Sequence, residues 1–514
     1  MKRYFLGIDI GTFESRGILI DESFRVAADA SVPNGMDNPQ PGWFEQEAET
    51  VWWGDMCKLC RTLIKQSGIR PEQIACVGTS ALGTDCLPVD EQCRPLRPAI
   101  LYGIDARASE EAAWLTEHYG QARVQELFGH PICSGDTATK ILWLRRHEPE
   151  IYAKTAYFLT GSSFLTARLT GKYVIDQSLA KGSFRPLYQA DGSVNEAECG
   201  LYCRPDQIAA CAWSTDIVGT VTPEAAAQTG LAAGTPVITG TGDSTAEAIS
   251  VGLVEPGTAF FQYGSSMFYY YCTDHFVGSY VSPQGNGALK GGKAFTVPGT
   301  YCLGDGTNAA GTLTRWVRDL LYSKELDAEK QGGENAYAVM AREAAAVPPG
   351  SDGLIMLPYI YGERSPLQDA EATGMLFGLK GTHGRAQINR AALEAVGYST
   401  YQHLLLFEEL GVPPRRIITA GGGTKNAAWM QIICDMAGMP LTIPEPFQCS
   451  SYGDAMLAAL GVGALESFSA LRAALPQGRI LQPDRKNHEF YQEHYPIFRD
   501  LYLENRDRMH RMQK

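Results

Sequence analysis

The stretch that decides the fold lies near the start of the chain, where Tyr4–Ile10 (YFLGIDI) and Gly17–Ile20 (GILI) flank Gly11-Thr12-Phe13-Glu14. Two apolar runs separated by a glycine turn predict a β-hairpin. Asp9 comes just before the turn. A turn of this kind directs backbone N–H groups toward an anion, and a neighbouring carboxylate can hold a hydrated divalent cation. The alternative is an ordinary hairpin in which Asp9 and Gly11 only make the turn.

The same pattern returns about 250 residues later. Thr258–Tyr263 and Met267–Cys272 are β-prone runs separated by Gly264-Ser265-Ser266. The serine hydroxyls are candidate phosphate donors, although Gly-Ser-Ser is also common turn chemistry. Two such hairpins predict two related halves.

Helical periodicity covers Gln46–Gln66 and Ile388–Leu410. Near the end of the chain a short strand, Ile417–Thr419, precedes Gly421-Gly422-Gly423 and a helix over Asn426–Ala437. Strand, glycine loop and helix in this order are typical of a loop that faces a nucleotide. The alternative is a glycine-rich helix entry that only permits tight packing.

A further carboxylate stands at a predicted helix start. The apolar run Pro236–Ile238 leads into Gly240-Thr241-Gly242, and Asp243 follows directly. A carboxylate in this position can accept a proton from a substrate hydroxyl, or it can act only as a helix N-cap. A hydrolase with Ser244 as nucleophile is not favoured, because the Gly-Asp-Ser motif of such enzymes belongs near the start of a chain, and here it lies at residues 242–244.

The 514-residue chain has an ordinary globular composition, with 45% hydrophobic and 20% charged residues. At about 150 residues per domain, the length fits roughly three compact units or two large α/β domains. Lys and Arg number 44 against 57 Asp and Glu, which gives a net charge of −13. That balance does not supply a broad basic face, so we expect no nucleic-acid partner.

Thirteen cysteines show no regular framework spacing, and no apolar stretch reaches the roughly 18 residues of a membrane span. We therefore expect a reduced, cytoplasmic protein without membrane contact. Cys57-x-x-Cys60 has redox spacing but lies in an amphipathic helical pattern, which does not favour redox chemistry. The nine histidines form no H-x-x-x-H pair, so a zinc cage is not predicted.

Taken together, these residues resemble the FGGY carbohydrate kinase family of the actin-like ATPase superfamily, from residue 4 to about residue 465. Gly7-x-Asp9-x-Gly11-Thr12 with Arg16 is similar to the first phosphate loop of the family, and Gly240-x-Gly242-Asp243 to its catalytic aspartate loop. The remaining matches, in family order, are Gly42-Trp43-Phe44-Glu45-Gln46 with Trp52-Trp53, Gly264-Ser265-Ser266, Leu357-Pro358-Tyr359 with Gly362-Glu363-Arg364-Ser365-Pro366, and Gly421-Gly422-Gly423 with Trp429, Gln431 and Asp435.

The resemblance implies an α/β fold of two actin-like (ribonuclease H-like) domains, each with a mixed sheet flanked by helices, and a cleft between them. Residues 1–248 would form the sugar-binding domain, and residues 249–514 the nucleotide-binding domain with peripheral C-terminal helices. The implied reaction transfers the γ-phosphoryl group of ATP to a hydroxyl of a small sugar. A ketopentose similar to xylulose or ribulose is the first candidate, followed by a related ketose or polyol.

The resemblance also implies a role for each matching residue. Asp243 would be the catalytic base, and Asp9 and Asp243 would lie at the Mg²⁺ ion. Sugar contacts would come from Thr84, Asp85, Asp105 and Arg107 together with Asp243. The nucleotide would be held by Asp9, Gly11, Thr12, Arg16, Gly264, Ser265, Gly421, Gly422, Gly423 and Asn426.

Two other functions share this fold: an actin-like ATP-binding assembly, and a regulatory sugar-binding protein without turnover. Sedimentation that responds to ATP but not to sugars would favour the first, and sugar binding without phosphoryl transfer the second. The presence of Asp243 argues against both. The sequence leaves the oligomeric state open, and a homodimer is the commonest form by base rate.

The chain departs from the family pattern at several positions. Xylulokinases carry Gln-Met-His in the sugar pocket, where this chain has Leu82-Gly83-Thr84, so the sugar is not identified. Tyr102-Gly103 stands where Trp is common. Phe13 and Glu14 replace small hydroxyl residues, which predicts a looser grip on phosphate. Asp454 stands where Ala is usual.

Overall fold

The computed structural model describes residues 2–445 and 449–513, and its N-terminal half is built on a seven-stranded sheet. Its strands are β1 (Tyr4–Ile10), β2 (Glu14–Asp21), β3 (Val26–Pro33), β4 (Ile74–Ala81), β5 (Ile217–Thr220), β6 (Pro236–Ile238) and β7 (Thr241–Gly242). They follow the order β5-β6-β4-β1-β2-β3, and β7 pairs with the end of β4.

The C-terminal half contains a second seven-stranded sheet. Its strands are β8 (Thr258–Tyr263), β9 (Met267–Thr273), β10 (Lys293–Ala294), β11 (Tyr301–Gly306), β12 (Arg416–Ala420), β13 (Leu441–Ile443) and β14 (Arg479–Leu481), in the order β10-β11-β9-β8-β12-β13-β14. In the N-terminal sheet, β1 is antiparallel to β2 and parallel to β4. In the C-terminal sheet, β8 is likewise antiparallel to β9 and parallel to β12. Two mixed α/β halves with one repeated topology confirm the predicted fold class.

Helices flank both sheets. Those in the N-terminal half are α1 (Gly54–Ser67), α2 (Ser109–Leu127), α3 (Thr137–His147), α4 (Pro149–Lys154), α5 (Gly161–Thr170), α6 (Gln177–Gly182), α7 (Glu196–Tyr202), α8 (Pro223–Thr229) and α9 (Asp243–Ser250). Those that follow are α10 (Gly311–Leu321), α11 (Ser323–Lys330), α12 (Ala336–Ala346), α13 (Arg385–Glu409), α14 (Ala427–Ala437), α15 (Ser450–Gly461), α16 (Phe468–Ala474) and α17 (Arg485–Met512). Across residues 2–445 and 449–513, none of the helices is long and apolar enough to span a bilayer.

Short two-stranded ladders complete the secondary structure. They pair Glu45–Gln46 with Ala99–Ile100, Leu87–Val89 with Tyr157–Leu159, Val174–Asp176 with Ala210–Ala212, Tyr280–Val281 with Ala288–Leu289, and Ile355–Leu357 with Met375–Phe377.

The buried helix α15 belongs to the C-terminal half in sequence but packs on the N-terminal sheet. A Cβ atom on Gly7 would lie 1.8 Å from the carbonyl oxygen of Ser451, and one on Gly78 would lie 2.3 Å from that of Asp454. The helix also meets α9 closely, because a Cβ on Gly453 would lie 1.9 Å from the carbonyl oxygen of Ala246. These backbone contacts hold one face of α15 against the ends of β1 and β4.

Most of the predicted elements are present, and the differences lie at their ends. Tyr4–Ile10 and Thr258–Tyr263 have the predicted bounds, whereas the second strand begins at Glu14, so the first turn is shorter than expected. Arg479–Leu481, which lies between the C-terminal helices, forms a strand on β13 that the sequence did not predict. Its three residues are too few to show a strand pattern, and the sheet edge that it joins supplies its hydrogen bonds.

Candidate active site

A group of acidic side chains lies where β1 and β4 end and α9 begins. The hydroxyl oxygen of Ser80 lies 2.7 Å from Oδ1 of Asp9 and 2.7 Å from Oδ2 of Asp454. Asp9 faces Arg16 across the hairpin, where the two residues are paired in the ladder. The structure thus joins the predicted phosphate loop to a carboxyl group from the far end of the chain.

Asp243 begins α9 rather than capping it, since Gly242 occupies the N-cap position. The backbone before it turns sharply at Gly240, with φ of +79°, and a Cβ there would lie 2.2 Å from the carbonyl oxygen of Thr79. The half-buried Asp243 carboxylate accepts a 2.6 Å hydrogen bond from the backbone N–H of Ser244. Burial raises its pKa, while that N–H and the Lys293 ammonium act in the opposite direction.

The carboxylates of this group repel one another. Burial, and after it the charge of Asp243, raises the pKa of Asp9 to about 7. Burial and the charges of Asp243 and Asp9 likewise raise the pKa of Glu247 to about 7. A cation at this position would relieve the repulsion.

The residues present fit a Mg²⁺ ion that is shared with phosphate groups. Within residues 2–445 and 449–513, no set of three His, Cys, Asp or Glu side chains converges closely enough to hold a metal by itself. Mg²⁺ beside a nucleotide usually takes one or two carboxylates and completes its shell with phosphate oxygens and water. Asp9 with Asp243 satisfies that requirement.

The first hairpin turn, which follows β1, contains the predicted nucleotide residues Gly11 and Thr12. The Gly11 N–H donates to the carbonyl oxygen of Glu14 at 3.2 Å, and Thr12 Oγ1 lies 3.2 Å from the hydroxyl oxygen of Tyr102. The side chains of Phe13 and Glu14 are exposed. Neither carries a hydroxyl that could reach a phosphate, so the weaker grip expected from the sequence stays a prediction.

The second hairpin opens onto a cavity of about 500 Å³ in the C-terminal half. Five predicted nucleotide residues line it: Gly264, Ser265, Gly422, Gly423 and Asn426. Gly421 supports the same loop, because a Cβ there would lie 2.7 Å from the carbonyl oxygen of Tyr263. Asn426 also caps α14 by accepting from the Trp429 N–H at 3.0 Å.

Sequence reasoning missed the opposite wall of this cavity. That wall is formed by α10, α12 and α13 with the segment before α12, through Gly311, Thr314, Arg315, Asn335, Tyr337, Ala338, Met340, Ala341, Asn389 and Leu393. These residues form no sequence motif. Only their packing around the cavity identifies them as part of this site.

Asp85 is the predicted sugar residue with the most distinctive environment. It is fully buried, and neither carboxyl oxygen makes a hydrogen bond with the described residues. The buried Lys140 ammonium, which donates to the carbonyl oxygen of Thr84 at 2.6 Å, opposes the rise that burial causes in the pKa of Asp85. Lys140 was missed from the sequence, although a lysine inside the apolar run of α3 could have been noticed.

The other predicted sugar pair is bonded to its surroundings. Asp105 accepts from the Phe44 N–H at 2.7 Å and from the Arg107 guanidinium at 2.8–3.1 Å. Arg107 also donates to Glu45 at 2.7 Å and lies over the Trp43 ring. Sugar contact by Asp105 and Arg107 stays a prediction, and these bonds favour a supporting role for them.

Two alternatives from the sequence find no support in the geometry. Ser244 Oγ lies 2.9 Å from the hydroxyl oxygen of Tyr270, and among the described residues it has no histidine as a hydrogen-bond partner. Cys57 and Cys60 are free thiols whose pKa values burial raises, so little reactive thiolate forms.

Two halves with one sheet topology, two hairpin turns and a carboxylate cluster together define an actin-like protein of two α/β domains. The models of the N-terminal and C-terminal domains of the FGGY family of carbohydrate kinases match residues 4–250 and 263–462. The chain belongs to the FGGY family of carbohydrate kinases, and it is an ATP-dependent phosphotransferase that acts on a sugar hydroxyl.

Individual relatives match over their full length. Xylulose kinase from Escherichia coli is 29% identical, with 97% of this chain and 98% of that protein covered. Gluconokinase from Bacillus subtilis is 28% identical, with 98% and 96% covered. The crystal structure of xylulose kinase from Rhodospirillum rubrum superposes with a TM-score of 0.88 at 28% identity, covering 99% of this chain and 100% of that one.

Proposed function

We propose that the protein phosphorylates a ketopentose similar to xylulose or ribulose, or a related ketose or polyol, and that Asp243 is the general base. The observation that carries the proposal is the half-buried carboxylate of Asp243 at the start of α9, beside the Asp9 hairpin. Among the described residues its hydrogen bonds come only from Ser244, through the N–H and the side chain, so acceptor capacity remains for a substrate hydroxyl.

In the proposed reaction, Asp243 accepts the hydroxyl proton as the sugar oxygen attacks the γ-phosphorus in line. The bond from that phosphorus to the bridging oxygen breaks, and ADP leaves. Thr12 and Ser265, with the backbone N–H groups of their turns, donate hydrogen bonds to the phosphates. Positioning and charge neutralisation supply most of the acceleration in phosphoryl transfer. Closure of the two halves would exclude water, which otherwise competes as acceptor.

Asp9 would hold Mg²⁺, usually through water, with Asp243 beside it. When bound, the ion would neutralise charge on the phosphate oxygens. Arg16 lies opposite Asp9 and lowers its pKa, which helps to keep the carboxylate charged.

We assign sugar binding to residues 1–248 and nucleotide binding to residues 249–514. The cavity beside Ser265 supports the nucleotide assignment, with Gly264, Gly421–Gly423 and Asn426 on its loop side. Burial of Asp85 without a hydrogen-bond partner supports a sugar contact there, next to Thr84. A homodimer and a cytoplasmic location stay predictions.

Relatives named xylulose kinase support a ketopentose, among them the Escherichia coli and Bacillus subtilis enzymes at 29% and 27% identity. Gluconokinase is almost as similar, at 28%, which keeps the acceptor class broad. Leu82-Gly83-Thr84 lacks the side chains that xylulokinases use in the sugar pocket. A change of one or two hydrogen bonds is enough to separate stereoisomers.

The test measures ADP release with Mg²⁺ and ATP across pentuloses, hexuloses, tetruloses, pentitols, gluconate and glycerol. We expect strong stimulation by one acceptor, and a loss in kcat of about 10²- to 10⁴-fold for Asp243→Asn, with ATP affinity retained. Asp484→Asn is the matched control, since Asp484 caps α17, away from the cleft. An Asp243→Asn enzyme with near-normal turnover would rule out the role of Asp243.

A further inference from the structure

The fully buried side chain of Asp454 has a place in the active site that the proposed mechanism does not use. It enters from α15, is 0% exposed, and lies 374 positions from Ser80 in the chain. Its Oδ2 atom meets the Ser80 hydroxyl at 2.7 Å, and the same hydroxyl meets Asp9 at 2.7 Å. Asp454 and Asp9 are thus two hydrogen bonds apart, with Ser80 between them.

The number of available hydrogen atoms limits the protonation states of Asp9, Ser80 and Asp454. A serine hydroxyl has one hydrogen to donate, yet two carboxyl groups approach Ser80 Oγ at hydrogen-bond distance. One carboxyl group must therefore carry a proton and donate it to Ser80. If both were carboxylates, one of the two contacts would bring unshared electron pairs together in a dry site.

The surroundings identify Asp454 as the donor. Its Oδ1 atom is buried and makes no hydrogen bond with the described residues. An unpaired carbonyl oxygen of a neutral acid is far less costly to bury than an unpaired carboxylate oxygen. Asp9 is partly exposed and lies opposite Arg16, so its environment favours the carboxylate more than that of the fully buried Asp454 does.

We propose that Asp454 is a positioning residue which, as a neutral carboxylic acid, donates to Ser80 and so fixes the Ser80 hydroxyl as a donor to Asp9. The chain of donors fixes the orientation of the Asp9 carboxylate toward the cation site. This inference rests on the proposed role of Asp9 at the metal. Asp454 touches neither substrate nor metal and acts through Ser80.

The backbone contacts of α15 make the arrangement rigid. Gly78 and Gly7 allow the helix to approach β4 and β1 at the positions beside Asp454 and Ser451. The part of α15 that carries Asp454 is therefore held close to Ser80 by backbone contacts. Partners that orient a metal ligand in this way typically contribute about 10- to 100-fold to metal affinity.

The test is Mn²⁺ binding to the full-length protein with ADP, followed by electron paramagnetic resonance, which does not depend on turnover. We expect Asp454→Ala and Ser80→Ala to weaken Mn²⁺ binding by about tenfold or more. Asp454→Asn should stay close to wild type, because its amide N–H can donate to Ser80 as the neutral acid does. The control is Asp55→Ala, which removes another buried Asp–Ser bond, 2.9 Å long, to Ser15.

The outcomes separate this inference from the proposed function. If Asp9→Asn weakens Mn²⁺ binding and Asp454→Ala does not, the positioning role is wrong and the metal role of Asp9 survives. If Asp454→Asn weakens binding as much as Asp454→Ala, the charge of Asp454 matters and the neutral-donor role is overturned. If Asp9→Asn has no effect, both assignments at the metal fail, while the sugar panel still tests the base.

Discussion

The two hairpins of the molecule share a backbone and differ in polarity. Counted back from the loop glycines Gly11 and Gly264, Asp9 in the first hairpin corresponds to Gln262 in the second. The residue beside each on the neighbouring parallel strand differs as well: Ser80 lies next to Asp9, and Ala420 next to Gln262. Gln262 donates to Glu247 at 2.6 Å. The N-terminal half therefore has the carboxyl group of Asp9 beside the hydroxyl of Ser80. At the matching positions the C-terminal half has the amide of Gln262 beside the methyl group of Ala420.

This difference shows how a repeated fold can divide one task. Both turns present backbone N–H groups, which suit phosphate oxygens. The first hairpin adds negative charge, which suits a cation, whereas the second keeps a neutral polar side chain and an exposed serine. The backbone is common to both halves, and in the proposed function the side chains at two positions give each hairpin a different ligand.

The hairpins also differ in what covers them. Four positions before the loop glycine, the first hairpin has Gly7, on which the backbone of α15 lies, and the second has the buried Phe260. The same strand position is thus filled by a helix backbone in one half and by an aromatic ring in the other. Only the first arrangement brings Asp454 to the site.

The largest effect on stability should come from adding a side chain at Gly7, where the backbone of α15 lies against β1. In Gly7→Ala the new methyl would lie 1.8 Å from the Ser451 carbonyl oxygen, so the helix must shift. We expect a loss in the free energy of unfolding of about 3 kcal/mol or more, measured by urea denaturation. Phe260→Leu, at the matching position, should cost less than about 1.5 kcal/mol. Gly35→Ala, with open space around it, should be nearly neutral. Equal losses for Gly7→Ala and Gly35→Ala would contradict this account.

The charge difference is tested by Asp9→Asn against Gln262→Ala. Removing the carboxylate takes away a charged ligand of the cation. The Mg²⁺ concentration for half-maximal activity should therefore rise by about tenfold or more, which corresponds to about 1.4 kcal/mol of lost binding free energy. Gln262→Ala breaks the 2.6 Å bond to Glu247 but removes no charge, so the Mg²⁺ requirement should stay near that of wild type. Equal shifts in the two variants would mean that the hairpins do not divide cation and phosphate binding.

The smallest effect should come from the loop hydroxyls. Ser265 is exposed at the cavity, whereas the hydroxyl of Thr12 lies 3.2 Å from that of Tyr102. A typical hydrogen bond contributes about 0.5–1.5 kcal/mol net, so at this exposed position Ser265→Ala should raise the Kd for ATP by about two- to tenfold. Thr12→Ala should raise the Kd less. In the free protein the Thr12 hydroxyl already contacts Tyr102, so a bond to phosphate replaces that contact and adds less to ATP binding. Calorimetry with ATP measures both, and Ser67→Ala, remote from the cleft, is the control. A larger effect from Thr12→Ala would reverse the assignment.

The sequence by itself determined the features that depend on neighbouring residues. Alternating apolar runs around glycine turns predicted both hairpins, and the motifs around Asp9, Asp243 and Gly264 indicated the family. These signals are local, because a strand, a turn or a helix start depends on a few consecutive residues. The catalytic and binding roles given to individual residues stay predictions.

Only the tertiary structure decided which distant side chains meet. Asp454 departs from the family pattern, but nothing near it in sequence shows that it reaches Ser80, 374 positions away. In the sequence, Lys140 is a single lysine in an apolar helix, and only the fold shows that it lies near Asp85. Asp105 and Arg107 stay predicted sugar contacts, and only the structure shows that they are also bonded to Phe44 and Glu45. The physical reason is the same in each case. Pattern and propensity act over a few residues, whereas a buried polar group must find its partner wherever the packing of sheets and helices has placed one.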